Sequence, residues 1–195
     1  IRIYFASRDI LGETNICFVD VDSINPKKIV GGFKGPILEK GKIGFFDEHG
    51  LMPSAVLHND GVYNLYYSGW SRRSSSPYAN FTGLAKSEDA EVFTKPLLGP
   101  VLSQSANDPL SATSPWVVNF EDQFLMFYCS GTSWLEIDGK LEHTYDIKIA
   151  KASNLEDWRQ DGEVVIPQID KFDAITRPTI GYISGQSYIF YCRRS

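Results

Sequence analysis

Leu65-Tyr66-Tyr67-Ser68-Gly69-Trp70-Ser71 and Met126-Phe127-Tyr128-Cys129-Ser130-Gly131-Thr132 are two copies of one pattern, an apolar-aromatic run closing on small polar residues. Ile3-Tyr4-Phe5-Ala6-Ser7-Arg8-Asp9 and Ile189-Phe190-Tyr191-Cys192-Arg193-Arg194-Ser195 are two more. The first residues of the four stand 62, 61 and 63 residues apart along the chain. A fixed period of this length is the signature of a repeat architecture, in which each unit buries its apolar faces against its neighbours.

The flanks of the pattern repeat with it. Pro53-Ser54-Ala55-Val56, Pro115-Trp116-Val117-Val118 and Pro178-Thr179-Ile180-Gly181 each stand 11 or 12 residues ahead of an aromatic run. Asn59-Asp60-Gly61, Glu121-Asp122 or Ser184-Gly185 lies between, a turn signal that joins the two runs as a hairpin. A third strand is expected over Asn15 to Ser23, Thr82 to Ser87 and Ile147 to Ser153. A fourth is expected at Gly35-Pro36-Ile37-Leu38, Gly99-Pro100-Val101-Leu102 and Glu163-Val164-Val165-Ile166. Four short antiparallel strands recurring in this way form the blade of a β-propeller. The expected fold is therefore all-β, with a partial blade over 1–38, blades over 47–102 and 108–167, and a partial blade over 173–195. Closure of Ile1 to Leu38 onto Thr176 to Arg194 as one split blade would give only three blades, so a larger, five-bladed parent is expected, of which this chain covers three to four.

Composition narrows the function classes. The 195 residues carry 12 Phe, 10 Tyr and 4 Trp against 2 Met, an aromatic bias that suits pleated strands. A net charge of −5 offers no basic face to a phosphate backbone, so nucleic acid is not an expected partner. No run of 18 apolar residues suggests a membrane helix. Cys17, Cys129 and Cys192 are odd in number, lack CxxC spacing and lie in strand-like runs, so they read as core residues of a reducing compartment; a cytoplasmic location is expected. Nothing in the spacing of His, Cys and acids suggests a metal, no glycine loop cradles phosphate, and no cofactor is expected.

Candidate site residues lie where strand one of each unit begins, because first strands line a propeller's axis. Asp47, Asp108 and Asp173 precede the strand-one prolines by 6, 7 and 5 residues. Carboxylates converging from different blades could serve as the acid and base of glycoside cleavage. An aspartate in that position also caps turns by accepting backbone N–H groups, and recurrence fits both readings. Trp70, Tyr78, Trp134 and Tyr145 fall in polar stretches read as loops between strands two and three, where rings could stack on a sugar or tuck beneath the loops. Arg177 could hold a carboxylate or phosphate of a ligand, or pair with Asp173 or Asp47. His49 could carry a proton or be incidental to its turn.

With those residues in view, the chain resembles the five-bladed propeller glycosidase superfamily of arabinanases, xylosidases, invertases and levansucrases. The run Phe46-Asp47-Glu48-His49-Gly50-Leu51-Met52-Pro53-Ser54, with Leu65 to Trp70, Pro77-Tyr78 and Gly83-Leu84-Ala85-Lys86-Ser87, is similar to uncharacterised glycosidase-like proteins of bacterial surface-polysaccharide gene clusters. The resemblance implies a glycoside hydrolase acting on a bacterial polysaccharide or oligosaccharide. In arabinanase-like relatives acids occupy the catalytic positions where this chain has Met52, Ser114 and Arg177, so hydrolysis would fall to Asp47, Asp108 and Asp173. A non-catalytic glycan-binding propeller is the alternative. Ser87-Glu88-Asp89-Ala90-Glu91-Val92-Phe93 and Arg177-Pro178 carry a fainter resemblance to sialidases, without the glycine and tryptophan of their turn. A propeller that binds protein partners is a further possibility.

Overall fold

The computed structural model describes residues 1–194 and contains no helix among them. The strands are β1 (Arg2–Arg8), β2 (Thr14–Asp20), β3 (Gly50–Asn59), β4 (Val62–Arg72), β5 (Tyr78–Ser87), β6 (Ala112–Phe120), β7 (Gln123–Ile137), β8 (Lys140–Ala152), β9 (Val164–Ile166), β10 (Ala174–Ile183) and β11 (Gln186–Arg194). Antiparallel ladders join β1–β2, β3–β4–β5, β6–β7–β8–β9 and β10–β11. Consecutive groups meet only at single parallel bridges, Thr14↔Gly50, Phe81↔Ala112 and Tyr145↔Ala174. This is an all-β propeller, with each third strand handing over to the first strand of the next unit.

The tandem aromatics explain why every unit needs a neighbour on each side. Side chains of a strand alternate between its faces, and on β4 Leu65 and Tyr67 enter the cluster with Ile16, Phe18 and Ile37 of the preceding unit and Phe93 of their own. Tyr66 enters the opposite cluster with Ala112, Met126, Tyr128 and Trp158 of the following one. All three are essentially solvent-free. The next interface is smaller, built on Cys129, Tyr145 and Ala174.

Several expectations change in detail. Of the three expected fourth strands, only Val164–Ile166 forms a strand; the others reach strand three through isolated bridges, Phe18↔Lys34, Lys86↔Thr94 and Thr82↔Leu102. The stretch between strands two and three in the third unit is not a loop. Asp138 and Gly139, with φ of 51° and 73°, make a tight turn, and β7 and β8 run to it as one long hairpin. β1 and β11 lie at opposite ends of the sheet order and do not pair into a split blade. Cys17 and Cys129 are buried, but Cys192 is exposed on β11, which pairs only with β10 among the described residues. The Ser87–Asp89 turn that resembled the sialidase motif is a tight local cap: Asp89 accepts the N–H groups of Glu91 and Val92, at 2.8 and 3.0 Å.

Candidate functional site

The first strands carry proline where a ladder donor would be needed, which is tolerated at an edge or a bulge. β3, β6 and β10 each break register there, between Pro53 and Ala55, Thr113 and Trp116, and Thr176 and Thr179. The bulges turn three pre-proline residues, Met52, Ser114 and Arg177, onto one cleft of about 420 Å³, a size within the roughly 300–1,000 Å³ of small-molecule sites. Tyr4, Phe5 and Ala6 of β1 close its far wall. The cleft is thus axial, with contributions from all four units.

Seven non-glycine residues among those described have positive φ. Asp60, Glu121, Asp138 and Ser184 sit in hairpin turns and Ala90 in the turn after β5, where this conformation is ordinary. The remaining two, Ser114 (51°) and Arg177 (55°), lie inside strands, at equivalent bulges, and both face the cleft. Bulges of this kind re-aim side chains beside functional sites, and backbone held in a sparsely populated region costs on the order of 1–3 kcal/mol. Beneath them Cys129 is buried, and burial pushes its thiol up to about 12, with the Arg177 backbone and the Ser114 side chain acting the other way.

The Arg177 side chain is exposed and makes no hydrogen bond or ion pair with any described residue. It does not pair with Asp173 or Asp47. Asp173 accepts two bonds from Arg193 at 3.1 Å and the N–H groups of Ile169 and Asp170 at 3.0 and 3.1 Å. Burial opposes its charge, but the backbone donors and Arg193 outweigh it and hold the carboxyl below the usual range.

Asp47 and Asp108 are as completely withdrawn from solvent as Asp173. Asp47 accepts the Tyr67 hydroxyl at 2.9 Å and the Lys95 ammonium at 2.6 Å. Asp108 accepts Tyr128 at 3.1 Å, Gln160 at 2.9 Å, Ser105 at 3.1 Å and Lys148 at 3.4 Å. Burial raises the Tyr67 and Tyr128 pKa values first, and the neighbouring carboxylates raise them further, so both phenols stay protonated as donors. Each carboxylate is engaged inside its own unit, and none of the three expected catalytic acids is among the described residues that line the axial cleft.

The aromatic candidates form two groups, all on strands and none fully exposed. Tyr78, Trp134 and Tyr145 are brought together around His143. Trp134 stacks on its ring at 4.2 Å and 14°, Tyr145 lies at 4.2 Å, and the Tyr78 and Tyr145 hydroxyls are 3.5 Å apart. Burial lowers the His143 pKa to about 4, with Arg194 adding to the effect, and neither ring nitrogen has a partner among the described residues. Trp70 lies apart from that cluster. Its indole N–H donates to Thr14 Oγ1 at 2.7 Å, bridging two units, and its ring stacks with His49 at 5.9 Å. His49 Nδ1 accepts the Arg72 backbone N–H at 3.4 Å and lies 3.5 Å from Glu48.

Two features of the site escaped the sequence reading. His143 had nothing to recommend it as a motif, yet the Asp138-Gly139 turn pairs it directly with Trp134. Ser114 and Met52 were noted only as departures from a family pattern, whereas with Arg177 they form the cleft. Among the described residues no group of three His, Cys, Asp or Glu side chains gathers as a metal would require.

No family model matches the chain. Uncharacterised proteins from two strains of Mycobacterium tuberculosis are 29% identical over 194 residues; these cover 99% of this chain, and the chain spans 64% of the length of those relatives. Among solved structures, a protein described as a glycoside hydrolase aligns over 98% of this chain and 58% of its own, with a TM-score of 0.72 at 16% identity. The sucrose-6-phosphate hydrolase of Lactobacillus gasseri aligns over 97% of this chain and 37% of its own, with a TM-score of 0.72 at 12% identity. A family 117 glycoside hydrolase of Zobellia galactanivorans aligns over 92% and 52%, with a TM-score of 0.61 at 10% identity. At these identities the likeness is one of fold.

Proposed function

We propose that this chain is the carbohydrate-recognising part of a glycosidase-like propeller and takes a saccharide into the axial cleft between β3, β6 and β10. The observation that carries the reading is the convergence of Met52, Ser114 and Arg177, the equivalent positions of three units, on one cleft. The resemblance to propeller glycosidases supports this reading, since acids occupy those positions in arabinanase-like relatives. Half-buried Trp116 and Pro53 offer apolar surface to sugar C–H faces, while half-buried Ser54 offers a hydroxyl to sugar hydroxyls. In this reading the parent is five-bladed and the glycan is a bacterial polysaccharide or oligosaccharide.

Glycoside cleavage needs two carboxyl groups flanking the scissile bond, roughly 5–10 Å apart. Among the described residues the cleft is lined by none, and Asp47, Asp108 and Asp173 serve in this reading as ties between strands of their own units. The chain itself therefore supplies recognition, and the non-catalytic alternative is favoured over cleavage by these three acids. Glycan-array binding combined with a reducing-sugar release assay tests this: binding with no release by the chain is expected. Release that is abolished in Asp108→Asn at an unchanged melting temperature would reverse the assignment.

A further inference from the structure

Among the described residues, Arg177 is the one side chain lining the axial cleft that carries a charge at neutral pH. Its guanidinium is exposed, and all five of its N–H donors are without a partner among the described residues. The two carboxylates that might have neutralised it are held elsewhere, Asp173 by Arg193 and Asp47 by Lys95. The Arg177 backbone is held in a left-handed conformation within a strand at the bulge beside Pro178. A charge with no internal partner, carried on a backbone set by that bulge, is open to a group that arrives from outside.

We propose that the saccharide held in this cleft bears an oxyanion, and that Arg177 grips it. The inference rests on the carbohydrate reading above and specifies the substrate class for the same site. A planar carboxylate of a uronic acid fits the guanidinium best, because two parallel N–H···O bonds match its geometry; sulfate and phosphate esters share the same chemistry. The neighbouring hydroxyls are arranged for the rest of the ring. Ser54 and Ser68 lie 3.2 Å apart, and Ser68 in turn accepts the Ser114 backbone N–H at 3.0 Å, forming a polar strip beside Arg177. A neutral sugar would satisfy the strip and leave the guanidinium with water alone.

Titration calorimetry with α-1,4-trigalacturonate and its fully methyl-esterified form compares ligands that differ in charge and little else. The protein is expected to bind the acid about ten- to a hundredfold more tightly than the ester, the range of one charge-assisted contact. In Arg177→Ala that preference disappears while affinity for the ester stays within about twofold; Arg177→Lys keeps the attraction but loses the bidentate part. Because the Arg177 side chain is exposed, both variants should melt with the wild type. Galactose 6-sulfate and galactose 6-phosphate distinguish the oxyanion sources, and stronger Arg177-dependent binding of either supports the oxyanion while replacing the carboxylate. Equal binding of acid and ester by the wild type, or a preference that survives in Arg177→Ala, overturns the proposal and leaves the carbohydrate reading standing. If no sugar in any form binds, both fall.

Discussion

Replacing Asp108 by asparagine separates the two roles that an aspartate at this position could have. The Asp108 carboxylate is solvent-free and accepts from Tyr128, Ser105, Gln160 and Lys148. The Lys148 ammonium is itself nearly buried, its side chain 10% exposed. Asparagine keeps the shape but removes the charge, and it turns an NH₂ toward a shell made of donors. Breaking a buried pair in this way leaves an uncompensated charge, at about 3–5 kcal/mol. For a chain of this size each kcal/mol moves the melting temperature by roughly 2–4 °C, so a fall of about 6–20 °C is expected by differential scanning calorimetry. Lys148→Met in the same background removes the stranded charge and should recover a substantial part of that loss, with a coupling well outside the roughly 0.5 kcal/mol of independent sites. A variant that melts within a degree or so of the wild type would refute the reasoning and return Asp108 to the list of reactive groups.

Further outcomes follow from the same contacts. Tyr67→Phe removes a donor to buried Asp47 and should cost about 1.5–3 kcal/mol in urea unfolding, with carbohydrate binding unchanged. Gly83→Ala would place a methyl carbon 2.2 Å from the Tyr67 ring, which is packed between units and cannot withdraw; overpacking of about 1–3 kcal/mol is expected from the same assay. His143 is held neutral by burial, with a folded pKa near 4 against an ordinary value of 6.5, so the unfolded chain binds the extra proton first. Stability is accordingly full above about pH 6.5 and declines as the pH falls toward 4, and His143→Phe should flatten that part of a melting-temperature profile.

The repeat was legible because consecutive aromatics must face opposite neighbours: the Leu65-Tyr66-Tyr67 pattern needs two flanking units, and the hairpin turns ahead of it are marked by Asp60-Gly61 and Ser184-Gly185. The same signal, Asp138-Gly139, marks the long β7–β8 hairpin, but polar residues around it made the stretch look like a loop. The outer strands were over-read since Pro36 and Pro100 lie in apolar stretches whose backbone makes only isolated bridges.

The site was harder to find. Asp47, Asp108 and Asp173 caught attention by recurrence, yet each has its partner 20 residues on, Tyr67, Tyr128 and Arg193, a regularity that already spoke for a repeated tie. Met52, Ser114 and Arg177 share no chemistry and so left no motif. Only the bulges, which depend on backbone geometry, bring them to one place.

The central claim is that the axial cleft is where this protein meets its carbohydrate, and backbone amide chemical-shift mapping during titration with trigalacturonate tests it most directly. The account predicts that the largest shifts fall on Met52–Ser54, Ser114–Trp116 and Arg177–Thr179, omitting the prolines that have no amide. Shifts that bypass all three segments and gather on another surface would contradict it.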